Sequence, residues 1–397
     1  MTAPRNALPV AIAGGGIGGL ACALALARKG FRSLMLEQAR EFGEVGVGLH
    51  VAPNALSVLD ALGVGPAAKK NALMIERLQM MDAVTGEEVV NIPCDARFEQ
   101  RFGNPYAVAH RAHIHGPLLE ACRAHELIEL RTNSRVTGFE PNDAGVSVTL
   151  ESGERIAAAA LVGADGVYSN VRKRIVGDGD PLPAGAIIFR ATIPAAEMPK
   201  DLQRPYPTFW AGPDWHVIYY PISDWSLFNL GCTVLTRQAK LVEAEEFAPD
   251  VVLPLFPNGC ETPMRVIHIP KSFRRFVIVH REPVGNWTEG RTTLLGDAAH
   301  PMVQYIAQGA AMALEDAICL AAEADACDGD FAQAFLRYQD IRIVRTARVQ
   351  ISSLMLTKLN HAKGVERKVR NSLFEGRTTE QHYDRLAWLY TAPPYVK

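Results

Sequence analysis

The residues best placed for chemistry begin with three glycines. Gly14, Gly16 and Gly19 stand in the spacing G-x-G-x-x-G, after an apolar run at 8–13 and before an Ala/Leu-rich segment at 17–29. Gly30 closes that segment, residues 31–36 read as a second strand, and Glu37 ends it. Strand, glycine turn, helix, strand and acid make one βαβ unit, and the chemistry of such a unit is dinucleotide binding. Gly14 permits a tight turn, Gly16 lets the backbone approach a pyrophosphate, and Gly19 lets helix and strand pack closely. The helix N-terminus adds free N–H groups and the positive end of its dipole. Glu37 stands 18 residues beyond Gly19, about where an acid meets a ribose hydroxyl.

Four further places could face a ligand. Gly43, Gly46 and Gly48 form a glycine loop, read either as a connector or as bare backbone lying along a flat ligand. Arg111 stands between a strand end at 108–111 and a helix at 114–124, as a surface arginine or a cation for phosphate. Asp165-Gly166 follows the β-like run 155–165 and precedes a short helix. That is where open α/β sheets place ligand contacts, and also where an Asp simply caps a helix. Gly296-Asp297 follows a strand at 291–295, and the turn Gln308-Gly309-Ala310 enters a strong helix at 310–324 whose free N–H groups could face an electron-rich ligand edge.

The elements that must position these residues follow from the pattern. A helix opens at Pro53-Asn54 and stops at Gly63. Residues 75–110 read as strands with a turn at Thr85-Gly86. From Leu182 the texture becomes β-rich and aromatic, with strands expected at 187–193, 208–211, 215–222, 226–234 and 264–269. Three of the five tryptophans lie there, as core or as the wall of a pocket for a small planar ligand. Residues 331–363 continue as helix, with Arg342, Arg345 and Arg348 read as a solvated basic stripe. The aromatic C-terminus is expected to pack on a partner subunit. The organisation expected is 1–181, carrying inserted strands at 75–110, then a β-rich unit at 182–275, a return to the first unit at 276–350, and a helical segment at 351–397.

Composition excludes several classes. Among 397 residues, 48% are hydrophobic and 21% charged, which argues for a large core and against wholesale disorder. A net charge of −2 gives no general case for nucleic acid or an anionic membrane as partner. The seven cysteines form no C-x-x-C pair and no Cys/His cluster with zinc spacing, so no metal is expected. His110, His113 and His115 lack a carboxylate or thiol to complete a metal site and are read as surface or supporting residues. No signal peptide or run of 18 apolar residues is present, so a cytoplasmic protein without a membrane span is expected.

Three separated segments agree with one another: Gly14-x-Gly16-x-x-Gly19 with Glu37, Gly163-Ala164-Asp165-Gly166, and Gly296-Asp297-Ala298-Ala299-His300-Pro301 with Gln308-Gly309. In this order, over residues 8–350, the chain resembles the single-component FAD-dependent aromatic hydroxylases typified by p-hydroxybenzoate hydroxylase. The resemblance implies an α/β fold with a Rossmann-type FAD-binding domain, a β-rich substrate domain and C-terminal helices. It implies FAD as cofactor, NADH rather than NADPH as co-substrate, and O2. The nicotinamide cofactor would bind transiently, since there is only one dinucleotide fingerprint. By the same resemblance, Gly14, Gly16 and Gly19 would cradle the FAD pyrophosphate and Glu37 the adenosine ribose. Gly48 and Arg111 would lie along the cofactor, Asp165 would help bind FAD and nicotinamide, and Asp297 would hold the ribityl chain. Gln308, Gly309 and Ala310 would lie against the isoalloxazine.

Within the family, Trp215-His216-Val217-Ile218-Tyr219-Tyr220-Pro221 and His300-Pro301-Met302-Val303-Gln304-Tyr305 resemble the 3-hydroxybenzoate 6-hydroxylases. His216, Gln304 and Tyr220 would then surround the phenol. An imidazole of ordinary pKa, about 6.5, suits removal of the phenol proton, which enriches the ring carbon para to the oxygen. Gln304 would orient the phenol, and Tyr220 would contact the carboxylate or support the site. The alternatives are hydroxylation of salicylate or 6-hydroxynicotinate, or a flavin-binding protein without turnover. A homodimer is expected from the aromatic C-terminus.

Overall fold

The computed structural model describes residues 5–43, 48–142, 145–236 and 245–396. Gly46 of the glycine loop lies outside them. The N-terminal fingerprint folds as its pattern requires: strand Val10–Ala13, helix Ile17–Arg28, strand Ser33–Leu36. Both strands are buried on both faces, the signature of parallel strands covered by helices. They lie in a six-stranded sheet whose order is Thr288–Glu289, Thr292–Leu294, Ala160–Gly163, Val10–Ala13, Ser33–Leu36 and Ile128–Arg131, parallel except at the Thr288–Glu289 edge. Helix Ile17–Arg28 packs against Gly309–Ala326 and Ala112–Arg123. Gly14 has φ +104°, and a Cβ there would collide with the Ala164 carbonyl, so only glycine serves.

A second sheet of eight strands supplies the other half of the molecule. Its order is Glu246–Phe247, Phe273–His280, Leu182–Pro194, Leu227–Leu235, Trp215–Ile222, Thr208–Gly212, Arg77–Asp82 and Glu88–Pro93. All neighbours are antiparallel except Thr208–Gly212 with Arg77–Asp82. Alternation decides its two faces. Trp215, Val217 and Tyr219 enter an apolar core with Phe228, Leu230 and Cys232, while His216, Ile218 and Tyr220 face a cavity with Asn229 and Gly231.

Several sequence expectations are corrected. Residues 264–268 belong to a helix, Glu261–His268, with Ile269 as its C-cap, and not to a strand. Pro263, Val266 and Ile267 are its buried positions, a helical spacing that outweighs the local β-branched content. Residues 75–110 also contain the helix Ala96–Phe102, capped by the Asp95 carboxylate and ended by Gly103 in the left-handed region. The run at 155–165 divides at Ala159 into two strands in different sheets, Arg155–Ala158 and Ala160–Gly163. The strands Val136–Asn142 and Phe273–His280 were not expected.

Of the three arginines read as a solvated stripe on helix Phe331–Asn360, Arg342 and Arg345 are drawn into the protein while Arg348 stays exposed. Arg342 is fully buried between Glu315 and Asp316, Arg345 pairs with Glu315, and Arg348 lies 3.8 Å over the Trp388 ring. The C-terminal aromatics pack on this same chain. Tyr390 meets Phe98, Phe102 and Tyr106 edge-on, and the Tyr395 hydroxyl accepts from Arg342.

Candidate active site

A cavity of about 1180 Å³ runs between the two sheets. It is lined by Gly14, Gly16 and Glu37 of the fingerprint, with Asp165 packed beside Gly14, by Arg111 and Asp297, and by His216, Tyr220 and Gln304. Gly48, Gln308, Gly309 and Ala310 line it too. Of the glycines in the fingerprint, Gly19 alone stays outside the lining. A Cβ on it would strike the Gly14 carbonyl, so it shapes the turn from behind.

The nucleotide end is held rigidly. Glu37 accepts from the Gly15 N–H at 2.7 Å and the Ala39 N–H at 2.8 Å, and His115, buried, bonds the Gly15 carbonyl at 2.9 Å. His115 is thus the supporting residue among the three clustered histidines. Asp165 accepts from the Ser169 hydroxyl and from the N–H groups of Asn170 and Val171, capping the helix Asn170–Ile175 while it lines the cavity. Burial pushes its carboxyl above the usual range against those bonds.

The turn Gly296–Ala298 is held from beneath. The Arg172 guanidinium, buried, donates to the Ala298 and Ala299 carbonyls. The Gly296 N–H and His300 Nε2 both meet Asp316 Oδ2. Asp297 itself stays exposed to the cavity. Gln308 precedes the helix Gly309–Ala326; its Oε1 accepts from Asn54 at 3.0 Å, while Nε2 is buried without a hydrogen-bond partner among the described residues. The free N–H groups of that helix open on the cavity between Asp297 and the aromatic end. An extended dinucleotide with a flat, electron-accepting ring fits these features: glycine turn and acid at one end, a buried unpaired amide and a helix N-terminus where negative charge would develop.

The far end is a chamber with an aromatic wall. Phe209 stacks on His216 at 4.7 Å between ring centres, and Tyr305 meets His216 edge-on at 5.6 Å. His216 Nδ1 lies 2.8 Å from His361 Nε2, and His361 Nδ1 lies 2.7 Å from the Thr357 carbonyl. Burial, and then the neighbouring His361, depress His216 well below an ordinary imidazole. The expectation of an unperturbed pKa is therefore corrected: this ring is held neutral by desolvation. Tyr220 meets His50 edge-on at 4.7 Å, and burial pushes its hydroxyl far up, so it stays protonated. The Gly48 N–H donates to Asn229 at 3.0 Å, and a Cβ on Gly48 would stand 2.6 Å from the Tyr220 ring, so any side chain here must displace a neighbour.

Gln304 is already engaged on both sides. Its Oε1 accepts from Arg190 at 2.8 Å and its Nε2 donates to Thr233 at 3.3 Å. Arg190, on strand Leu182–Pro194, lines the chamber, and burial lowers its pKa. Sequence reasoning passed over Arg190, though a lone arginine inside the apolar run at 187–193 was a legible signal. His361 and Asn54 gave no such signal, because both act through partners distant in the chain.

The pattern set of the FAD binding domain family matches residues 7–194. The 3-hydroxybenzoate 6-hydroxylase 1 of Aquipseudomonas alcaligenes is 45% identical over 385 residues, which is 96% of this chain and 97% of that protein. The 3-hydroxybenzoate 6-hydroxylase of Klebsiella oxytoca is 44% identical over 379 residues, 96% and 95% of the two chains. The chain belongs to the FAD-dependent aromatic hydroxylases. A solved salicylate hydroxylase substrate complex superposes with a TM-score of 0.80 at 22% identity, over 97% of this chain and 98% of that one, a likeness of fold. For this FAD-dependent hydroxylase, the α/β architecture, the flavin cofactor and the use of an aromatic substrate expected from its motifs all hold. Among the described residues, no helix is long and apolar enough to cross a membrane.

Proposed function

We propose that this enzyme hydroxylates 3-hydroxybenzoate para to its hydroxyl, giving 2,5-dihydroxybenzoate, with NADH and O2 as co-substrates. The observation that carries the reading is an identity of 44–45% along nearly the whole chain with two enzymes named for that reaction, together with a chamber that offers an imidazole, an amide and a cation. FAD held in this cavity would supply the redox chemistry: reduced by the nicotinamide cofactor, it would activate O2, one oxygen atom going to the ring and the other leaving as water.

The chain's residues do the rest. Gly14, Gly16 and the helix N-terminus behind them hold pyrophosphate; Glu37 takes the ribose; Arg111, Asp165, Asp297 and the Gln308–Ala310 turn hold the remainder, with Gly48 leaving room beside Tyr220. Arg190 offers a cation to the substrate carboxylate. His216 accepts the phenol proton, so that the oxygen's lone pairs feed the para carbon. Gln304 keeps its bonds to Arg190 and Thr233 and offers the second Nε2 hydrogen to the phenol oxygen. The apolar wall of Phe209, Ile218 and Tyr305 excludes water, which strengthens each of these polar contacts. The reading keeps the four-part division of the chain and assigns the hairpin Arg77–Pro93 to the substrate sheet it hydrogen-bonds. It also keeps a cytoplasmic homodimer: all seven cysteines are free thiols, and Val344, Met355 and Val365 expose apolar side chains on the last helices.

The test is a purified holoenzyme assayed with NADH against 3-hydroxybenzoate, salicylate and 6-hydroxynicotinate, with products identified. Gentisate from the first acid alone is expected, and His216→Ala should keep its flavin and lose hydroxylation about 100-fold or more. Efficient turnover of salicylate without 3-hydroxybenzoate would sink the substrate assignment. Failure of every acid to stimulate NADH oxidation would point to a flavin protein without turnover.

A further inference from the structure

The His216–His361 contact fixes protons as well as positions. A carbonyl oxygen only accepts, so His361 Nδ1, 2.7 Å from the Thr357 carbonyl, carries a hydrogen. In the neutral ring, His361 Nε2 is then an acceptor. The 2.8 Å contact with His216 Nδ1 therefore needs the hydrogen on His216. That leaves His216 Nε2 with the free lone pair, on a ring that lines the chamber.

We propose that His361 is a positioning residue for His216, holding it in the one tautomer whose Nε2 can take a proton from the substrate and accepting from its Nδ1–H as the imidazolium forms. The proposal rests on the reading of His216 as the base. The step balances simply. The phenol O–H bond breaks, its electron pair stays on oxygen, and the proton joins His216 Nε2. The positive charge is shared through Nδ1–H with His361 Nε2.

The surroundings fit this role. Burial depresses both rings, His361 to about 4, so both are neutral before the proton moves and the tautomers are unique. His361 is the C-cap of the 30-residue helix Phe331–Asn360, and the negative end of that helix dipole favours a cation there. The other groups facing the pair are Tyr305, edge-on to both rings and held protonated by burial, and Asp214, which pairs with Lys363 and favours charge on His361. Phe209 on the far face of His216 carries no charge. The pattern parallels the general one in which a catalytic base is oriented by a third group.

The holoenzyme and its His361→Leu, His361→Gln and His216→Ala variants decide the matter, through two readouts. One is the pH at which bound 3-hydroxybenzoate shows a phenolate absorbance band; the other is the rate of gentisate formation. His361→Leu should move the phenolate transition up by about one pH unit and slow product formation about 10- to 100-fold, at or below the low end of the roughly 10²–10⁴-fold that a general base itself contributes. Its flavin content should stay unchanged. His361→Gln keeps an acceptor near the place of Nε2 and should recover most of both. If His216→Ala loses both readouts while His361→Leu matches the parent enzyme, the positioning role is overturned and the base survives. If His216→Ala matches the parent, the base reading itself fails. Should the leucine variant not retain flavin, His361→Met takes its place: the shift and slowing expected of leucine support positioning, and parent-like behaviour in both readouts overturns it.

Discussion

Arg342 Nε lies 2.6 Å from Asp316 Oδ1, and both side chains are fully buried. This pair stands directly behind the turn that lines the cavity, because the other oxygen of Asp316 accepts from the Gly296 N–H and meets His300 Nε2. Arg342 also reaches Glu315 at 2.6 Å; Glu315 accepts from Asn54, and Asn54 donates to Gln308. One buried network thus ties the long C-terminal helix to both ends of the segment from Gly296 to Gln308. Burial alone would raise the Asp316 carboxyl, but His300 and Arg342 hold it at about 2.

Breaking this network should cost stability in a pH-dependent way. Arg342→Met leaves Glu315 and Asp316 buried with one cation fewer, and removing one partner of a buried pair costs about 3–5 kcal/mol. In the parent, both carboxyls titrate lower folded than unfolded. Their pairing therefore contributes stability above the unfolded value of about 4 that is lost as pH falls toward the folded one. In the variant the carboxyls lose their cation and their pKa values rise, so the penalty is greatest near neutrality. Thermal unfolding of the two proteins should show a Tm gap that narrows from pH 7 to pH 5. A gap that widens on acidification would contradict this account. Weaker flavin retention should accompany the loss, since the Gly296 turn loses its support.

Arg190 bears on how the acid is recognised. It is an arginine in a low-dielectric chamber whose bond to Gln304 is to a neutral amide. A charge-assisted bond to the substrate carboxylate is worth about 1.5–3 kcal/mol. Arg190→Met should therefore raise KM for 3-hydroxybenzoate about 10- to 100-fold, with a smaller effect on a neutral phenol such as 3-hydroxybenzamide. Steady-state KM values for the two compounds make the comparison. Equal losses for both would mean that Arg190 acts by holding Gln304 and not by meeting the carboxylate.

What could be read from the sequence divides along a physical line. That the glycine turn, Glu37, Asp297 and Gln308 line the cavity was legible because their placement follows from local signals: a turn, a strand end, a helix start. The strand Trp215–Ile222 was legible through its composition, while His216 and Tyr220 were singled out only through the family resemblance; in the fold, the period of two puts both on the cavity face. Arg342 was misread because its partners lie 26 and 27 positions earlier, on another helix, and a threefold spacing of arginines looks the same whether it faces water or two carboxylates. The segment 264–269 was misread because its β-branched residues are a weak preference that the amphipathic period overrode. His361 was invisible: a histidine just beyond a helix end acquires meaning only when the substrate sheet brings His216 to it.

Gly48 offers the sharpest steric test. Its missing side chain is the space in which Tyr220 sits, with the ring edge and hydroxyl both 2.6 Å from where a Cβ would stand and Asn229 at 2.8 Å. None of these neighbours is a flexible chain end. The Tyr220 ring is buried and braced against His50, and Asn229 is tied to the Gly48 N–H. Gly48→Ala should therefore force the Tyr220 ring or the strand Gly48–Val51 to move, at about 1–3 kcal/mol for overpacking of this kind. Because the displaced ring lies in the chamber, the effect should appear first in substrate affinity, as a rise in the Kd for 3-hydroxybenzoate measured by flavin absorbance titration. Pairing Gly48→Ala with Tyr220→Leu removes the ring that the methyl group strikes, so the double variant should bind better than Gly48→Ala relative to the Tyr220→Leu background. Strictly additive losses in that cycle would show that the two residues do not share the space assigned to them.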